Sequence, residues 1–388
     1  MTRICRFAFV LLFAGVVRLS GHPIPHLPVI GSFEANGSFA IEVEVDPRCF
    51  ALDPEGVPYF TKAALDENAP AVNAELQAAA RSLVKRSLRW SFSGEEGFSP
   101  AFTFTFEKKG GGAPVEPDDL VTLRGRWRGK ADLASDRYRV KVLPECSFKV
   151  LTVSRAGGNA LADALLLFPG EEGPALHLAE LFPDASPASS DSASPAPSGP
   201  PSAPWATFVS FMREGFVHVL PFGLDHLLFV LGLFLLSREW RPLLWQVTAF
   251  TIAHTVTLGL AAKGFVVVSG DVVEPLIAAS IAYVAVENLR EAAFGPRRVF
   301  VVFLFGLVHG LGFAGALSDL NLPAVSLLSG LLGFNLGVEA GQLAVLALAF
   351  VATAFFRKPE NYHRLVVVPG SLAIACMGLY WTVERVFF

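Results

Sequence analysis

The sequence predicts a mixed fold, with an extracytoplasmic β-sandwich-like domain followed by a polytopic α-helical membrane bundle of about six transmembrane helices. The distribution of hydrophobic residues is the main reason. Of the 388 residues, 52% are hydrophobic, yet nearly all long apolar runs lie after residue 216, whereas residues 22–204 have the composition of a soluble protein. The net charge of −4 includes no long basic run. This argues against a nucleic-acid partner, because nucleic-acid binding needs clustered Lys and Arg side chains.

Residues 1–21 are typical of a secretory signal peptide. Arg3 and Arg6 precede an apolar stretch from Phe7 to Val17, which is too short to span a hydrocarbon core of about 30 Å. Residues 22–182 are therefore expected outside the cytoplasm. Two cysteines of this domain, Cys49 and Cys146, either form a disulfide, which an oxidising compartment permits, or remain free buried thiols.

Alternating and β-branched runs in residues 22–182 predict β-strands, because side chains of a strand point to opposite faces in turn. The Ala-rich stretch from Ala69 to Trp90 predicts one helix instead. Residues 183–204 are rich in Pro, Ser and Ala and predict an extended linker without a core of its own. The predicted strands are 39–45, 102–106, 121–127, 138–142 and 150–154.

Residues 205–388 contain six apolar runs, most of them near the 20 residues that a spanning helix needs. The runs are 216–236, 243–262, 272–290, 299–317, 324–356 and 364–386. The fifth run is long and contains Gly330 and Gly333, so we expect it to be tilted, broken or partly re-entrant.

The charges between the apolar runs predict the orientation. If the first run leads from outside to inside, the inner loops carry most of the basic residues, as the positive-inside rule requires. This predicts a bacterial inner-membrane protein whose N-terminal domain is periplasmic. The inner basic residues would be Arg238, Arg241, Arg290, Arg297, Arg298, Arg357, Lys358 and Arg364.

Five ionisable residues lie deep in four of the apolar runs: Asp225, His226, His254, His309 and Glu339. Counted at 1.5 Å per residue, all five fall near the bilayer midplane. Ionisable groups at that depth are costly unless they are paired, so their shared depth predicts a single buried site. Imidazole and carboxylate ligands suit Ni²⁺, Co²⁺, Zn²⁺ or Fe²⁺ better than Cu⁺.

Other polar residues are placed around this predicted site. Thr251, Thr255, Asn335 and Gln342 are candidates for orienting the ligands by hydrogen bonds. Glu214 and His218 are candidates for gathering an ion at the outer mouth, and the alternative for both is ordinary solvated charge. Glu287 is a candidate for the exit route, or it simply reaches the inner interface.

Four runs resemble the HupE/UreJ family of membrane proteins, in its second branch: HVLPFGLDHLLFVLGLFLL, FTIAHTVTL, FGLVHGLGFAGAL and FNLGVEAGQLAVL. The resemblance implies a signal peptide, an outer domain that begins near a His-x-Ile-Pro sequence (residues 22–25) and a polytopic core. It also implies nickel handling, since members of the founding branch are regarded as nickel permeases. That branch has His-x5-Asp-His in its first span, whereas six residues separate His218 from Asp225 here.

Three functions are compatible with the sequence. The first is a divalent metal-ion permease of the nickel or cobalt type, with zinc as an alternative ion. The second is an intramembrane zinc-dependent hydrolase, because such enzymes also use His and Asp ligands among helices. The third is a membrane-anchored accessory protein for metalloenzyme maturation, whose outer domain binds a protein partner. We favour the permease over an enzyme. Membrane lipid is the other expected partner, and the sequence does not indicate an oligomeric state.

Overall fold

A computed structural model describes residues 26–52, 54, 57–92, 97–182, 204–221, 223–266, 268–290, 295–312, 324–356 and 358–387. The chain has a β-rich region followed by a helical region. The predicted signal peptide and nearly all of the predicted linker lie outside the described residues.

The β-rich region contains two sheets. The larger has six strands in the order β4-β5-β2-β1-β7-β8, and the smaller has three in the order β3-β6-β9. In the larger sheet β1 pairs parallel with β7, and all other adjacent strands of this sheet pair antiparallel. The strands are β1 (Leu27–Phe33), β2 (Ser38–Val45), β3 (Leu88–Ser91), β4 (Thr103–Lys108), β5 (Val121–Lys130), β6 (Arg137–Val142), β7 (Val150–Ala156), β8 (Asn159–Leu167) and β9 (Leu176–His177).

A hydrophobic core lies between these elements because alternate residues of the strands point into it. Along β1 and β2 every second side chain is buried, and Trp90 of β3 is completely buried in the same core. Three α-helices and a 3-10 turn at Pro47–Phe50 complete the described part of the region; the α-helices are α1 (Lys62–Glu67), α2 (Pro70–Ser87) and α3 (Leu178–Leu181). The five predicted strands coincide with β2, β4, β5, β6 and β7, and the Ala-rich stretch forms α2.

Cys49 and Cys146 are both buried in this core as free thiols. The Cys146 thiol donates a hydrogen bond to the carbonyl oxygen of Phe148 at 3.2 Å. Burial is the main cause that raises the pKa of the Cys49 thiol. Of the two alternatives that the sequence leaves open, the structure therefore has the free thiols.

The helical region begins at Pro204, one residue before the predicted boundary at 205, so its first helix starts ahead of the first predicted span. Its helices are α4 (Pro204–Val219), α5 (Leu224–Leu236), α6 (Trp240–Ala262), α7 (Gly270–Leu289), α8 (Pro296–Gly312), α9 (Ala324–Thr353) and α10 (Pro359–Phe387). The first predicted span, 216–236, is not one helix: the chain breaks between α4 and α5, where Pro221 and Gly223 interrupt the helical hydrogen bonds.

Among the described residues, four helices are long and apolar enough to cross a membrane: α6, α7, α9 and α10. The number is five if α4 and α5, which are bent by 69° relative to each other, count as one span. Helix α8 has 17 described residues. The count of about six transmembrane helices therefore stays a prediction.

Glycines of α9 allow unusually close packing against α4. A Cβ atom at Gly333 would overlap the carbonyl oxygen of Phe208, and one at Gly337 would overlap that of Met212. Spacing of four residues puts both glycines on one face of α9, as in small-xxx-small helix interfaces. The expected break or re-entrant turn in the fifth run is wrong, because these glycines provide a packing surface within one continuous 30-residue helix.

A buried histidine cluster as the candidate functional site

Four histidines from four helices meet inside the helical region. The ring centroid of His226 on α5 lies 4.8 Å from that of His218, 6.1 Å from that of His254 and 5.3 Å from that of His309. His226, His254 and His309 are buried, at 6%, 0% and 2% relative exposure. We call these four residues the histidine cluster. Three of them were predicted to share a site, and His218 joins them although it was placed at the outer mouth.

The break between α4 and α5 brings His218 and His226 together. A continuous helix would separate residues eight positions apart by roughly 12 Å along its axis. The turn instead lays their rings against each other in an edge-to-face contact. Gly223 is required at this turn, since a Cβ atom there would overlap the carbonyl oxygen of His218.

Aromatic side chains surround the histidine cluster. The Phe250 ring lies 5.0 Å from that of His309 and 5.9 Å from that of His226, measured between centroids. Phe334 stacks on His254 at 6.2 Å with an interplanar angle of 17°. Both phenylalanines are almost fully buried. The imidazoles therefore lie among apolar neighbours, where an unsatisfied polar atom is costly.

Two of the imidazoles have defined hydrogen-bond partners. His254 Nδ1 lies 2.9 Å from Asn335 Oδ1, and His309 Nε2 lies 3.1 Å from Ser280 Oγ. Three other ring nitrogens are buried and have no hydrogen-bond partner among the residues that the structure describes: Nε2 of His226, Nε2 of His254 and Nδ1 of His309. Each imidazole of this trio thus contributes one unused nitrogen.

The two carboxylates that were grouped with the histidines engage other partners. Asp225 forms an ion pair with Arg385 at the end of α10, with Oδ2 3.1 Å from the guanidinium. Glu339 accepts a hydrogen bond of 2.7 Å from the hydroxyl of Thr248. Within the described ranges, no group of three or more His, Cys, Asp or Glu side chains has the geometry to hold a metal ion as it stands.

Helical geometry explains both positions. Asp225 immediately precedes His226, and neighbouring residues of a helix do not face the same side. Glu339 follows Asn335, the partner of His254, by one turn, which places it about 6 Å farther along α9. Asp225 therefore shares the level of His226 but points in another direction. Glu339, in contrast, shares a face of α9 with Asn335 but lies at another level.

The two carboxylates assigned to the ends of the route are held in ion pairs. Both carboxylate oxygens of buried Glu214 lie 2.6 Å from Nζ of Lys149, which belongs to the β-rich region. Glu287 pairs with Arg298 at 2.7 Å. Glu214 precedes His218 by one helical turn on α4, so the Lys149–Glu214 pair adjoins the histidine cluster.

Among the four candidates for orienting the ligands, Asn335 hydrogen-bonds to a histidine. Thr251 donates instead to Gln342 at 3.3 Å, and Thr255 donates to the carbonyl oxygen of Thr251 at 2.7 Å. The Thr251–Gln342 bond ties α6 to α9 beside the histidine cluster, whereas the Thr255 bond lies within α6.

Sequence reasoning missed Ser280 and the network around Arg298. Arg298, which is 3% exposed, also donates to Gln246 at 3.0 Å and to Asn288 at 3.1 Å. The sequence contained a signal for both: each is polar and lies within or at the start of an otherwise apolar run. Arg298 had been counted as an ordinary basic residue of an inner loop.

The helical region has the surface of a membrane protein. Large apolar side chains project outward along its helices, such as Ile252 at 55%, Leu348 at 59% and Leu372 at 55% relative exposure. Buried polar groups lie inside, in the histidine cluster and the Arg298 network. A set of apolar helices with this inverted distribution defines an integral membrane protein that contacts lipid.

Residues 198–385 match the family model described as HupE / UreJ protein. This match covers the helical region of the chain and confirms the resemblance to the HupE/UreJ family that was found in the sequence. Comparisons with curated proteins and with solved structures found no match. The family is associated with nickel or cobalt handling in membranes, either as transporters or in an accessory role.

Proposed function

We propose that this protein is a permease for a divalent metal ion of the nickel or cobalt type, and that the histidine cluster binds the ion during passage. One observation carries the proposal: three buried imidazoles from three helices each keep one ring nitrogen unpartnered among the described residues. Leaving a buried polar atom unsatisfied costs about 1–3 kcal/mol. A cation shared by the three nitrogens would remove that cost.

The distances between the rings support a shared ion. Two imidazoles on one tetrahedral ion have ring centroids roughly 5 Å apart, given metal–nitrogen bonds of about 2.0–2.1 Å. His226 lies 5.3 Å from His309 and 6.1 Å from His254. Both separations are within about 1 Å of the spacing that two imidazoles on one ion would have. Neutral imidazoles suit Ni²⁺, Co²⁺ and Zn²⁺, whereas Mg²⁺ and Ca²⁺ prefer oxygen ligands.

The arrangement of carboxylates favours transport over the alternative of hydrolysis. A metal-dependent hydrolase needs a general base close to the metal-bound water. Asp225 is paired with Arg385, and Glu339 is engaged by Thr248. Neither carboxylate is held next to the unpartnered nitrogens. An accessory role in metalloenzyme maturation stays compatible with metal binding, so the test below separates it from transport.

The charges at the helix ends support an orientation with the β-rich region outside. The Lys149–Glu214 contact joins that region to one end of the helical bundle. At the other end, Arg298 donates a hydrogen bond to the side chain of Asn288, which in turn donates to the carbonyl oxygen of Gly232. Most basic residues of the connecting segments also occur at that end. By the positive-inside rule, that second end would face the cytoplasm of a bacterial inner membrane.

The test measures transport without partner proteins. Purified protein is reconstituted into liposomes that contain a metal-sensitive dye, and the initial rate of Ni²⁺ or Co²⁺ influx is recorded. We expect His226→Ala and His254→Ala to reduce the rate roughly tenfold or more, since each removes a nitrogen ligand. His363→Ala is the matched control, because His363 is exposed on α10.

Two results would contradict the proposal. Unchanged influx in His226→Ala would show that the histidine cluster does not bind the transported ion. Stoichiometric metal binding to the purified protein without any influx into liposomes would favour the accessory role.

A further inference from the structure

The hydroxyl of Ser280 determines which nitrogen of His309 carries the proton. Ser280 on α7 is 1% exposed, and its hydroxyl donates to the carbonyl oxygen of Ile277 at 2.7 Å. A serine hydroxyl has a single proton to donate. Toward His309, at 3.1 Å, its oxygen must therefore accept. Nε2 of His309 then bears the hydrogen, and the buried Nδ1 carries a lone pair.

Asn335 fixes the opposite tautomer in His254. The side-chain nitrogen of Asn335 donates to the carbonyl oxygen of Leu331 at 2.8 Å, which sets the orientation of the amide. Its Oδ1 then accepts from Nδ1–H of His254 at 2.9 Å. The remaining nitrogen, Nε2 of His254, carries the lone pair and lies buried without a partner among the described residues.

These two hydrogen bonds make the rings neutral acceptors before any ion arrives. His309 offers Nδ1, and His254 offers Nε2, while the protonated nitrogen of each ring is turned to its own polar partner. A metal-binding imidazole needs a lone pair on one nitrogen and is commonly oriented by a hydrogen bond from the other. Among the residues that the structure describes, neither lone pair has a hydrogen-bond donor, and a cation is a group that would satisfy both.

We propose that Ser280 is a positioning residue of the histidine cluster, which holds His309 in the Nε2–H tautomer so that Nδ1 binds the metal ion. This inference rests on the proposed function for the identity of the ion. The tautomer itself does not depend on transport. Ser280 acts through His309 and does not contact the ion.

The matched variants are Ser280→Ala, Ser280→Thr and Ser329→Ala. Threonine retains a hydroxyl that can bond to a preceding carbonyl of the helix. Ser329 on α9 donates to the carbonyl oxygen of Ser326 at 3.1 Å, in the same i−3 pattern as Ser280. It lies in another helix and serves as the control for loss of a helix-bonded serine.

The first measurement is the ¹⁵N NMR spectrum of the histidine rings in the full-length, metal-free protein, with His309 assigned by the spectrum of His309→Asn. We expect the Nε2–H tautomer for His309 in the wild type and in Ser280→Thr, and a mixture of tautomers in Ser280→Ala. The second measurement is a Ni²⁺ titration of the same proteins. We expect about tenfold weaker binding for Ser280→Ala, with wild-type affinity for Ser280→Thr and Ser329→Ala.

The inference is overturned if His309 is in the Nδ1–H form in the wild type, or if Ser280→Ala binds Ni²⁺ with wild-type affinity. A loss of binding accompanied by an equal loss in Ser280→Thr would also overturn it, because that pattern indicates a packing defect. If the tautomers are as expected but no metal is transported, the permease proposal fails while the role of Ser280 in orienting His309 stands.

Discussion

Replacing Gly337 by Ala tests the close packing of α4 on α9. An added Cβ would overlap the carbonyl oxygen of Met212 and lie 2.8 Å from the backbone nitrogen of Phe216. Both are backbone atoms, so relief requires the two helices to move apart. At Gly330 on the same helix, the nearest atoms belong to the Phe211 ring at 3.5 Å, an ordinary contact. The same substitution therefore meets very different surroundings seven residues apart.

The two variants are expected to change stability in opposite directions. Ala is favoured over Gly within a helix by about 0.8–1.0 kcal/mol, and Gly330→Ala should gain most of this. Overpacking costs about 1–3 kcal/mol, and because the atoms that a Cβ at Gly337 would meet are backbone atoms that cannot turn away, we expect a cost in the upper half of that range, about 2–3 kcal/mol. After the same gain, Gly337→Ala should lose about 1–2 kcal/mol, and the difference between the variants should be roughly 2–3 kcal/mol.

Unfolding of the purified protein in mild detergent by added SDS, followed by helical circular dichroism, measures this difference. The reasoning would be refuted if both variants changed the free energy of unfolding by the same amount. It would also be refuted if Gly337→Ala were the more stable of the two. Because α4 carries His218, the loss in Gly337→Ala should be accompanied by weaker Ni²⁺ binding, whereas Gly330→Ala should bind normally.

Four further outcomes follow from buried charges and thiols. Lys149→Met should destabilise the protein more than Glu214→Gln under the same denaturation, because it leaves the buried Glu214 carboxylate without its partner. Breaking a buried ion pair costs about 3–5 kcal/mol, and we expect the loss in Lys149→Met to lie toward the low end of this range. Glu214→Gln should cost less, because Lys149 is 23% exposed and can turn to water. Arg298→Met should lower the free energy of unfolding by about 3–5 kcal/mol. It removes the charge partner of Glu287 and the three hydrogen bonds that Arg298 donates to Gln246, Glu287 and Asn288. A loss under about 1 kcal/mol would contradict this expectation. Cys49 and Cys146 should both react with a maleimide after unfolding without reductant, and their failure to do so would indicate a disulfide. Burial raises the pKa of the Cys49 thiol above its ordinary value of 9.0. As the pH rises above 9.0, the thiol deprotonates in the unfolded chain but not in the folded state, so the folded state should lose stability.

The strands with clear alternation were predictable from the sequence, and others were not. Strands β2 and β6 alternate buried and accessible residues along their whole length. Strand β8 contains the run ALADALLL, whose Ala and Leu are good helix formers, so its strand conformation depends on pairing with β7. Local propensity does not report such a tertiary contact.

The histidine cluster was only partly predictable, for a geometric reason. Counting residues from the end of a helix gives the depth of a side chain, and this correctly grouped His226, His254 and His309. Depth does not give the direction in which the side chain points. Asp225 was included for its depth, but its side chain faces Arg385. His218 was assigned to the outer mouth, yet the break between α4 and α5 brings it into the histidine cluster. Counting residues along a continuous helix does not predict such a break.

The Lys149–Glu214 pair implies that the two regions of the chain are not interchangeable modules. An ammonium from one region neutralises an enclosed carboxylate of the other, one helical turn before His218. A chimera that carried a foreign β-rich region without a lysine at this point would leave a bare anion beside the histidines. That anion would attract protons and cations to a point one helical turn from His218, so a replacement β-rich region must supply a cation at this contact.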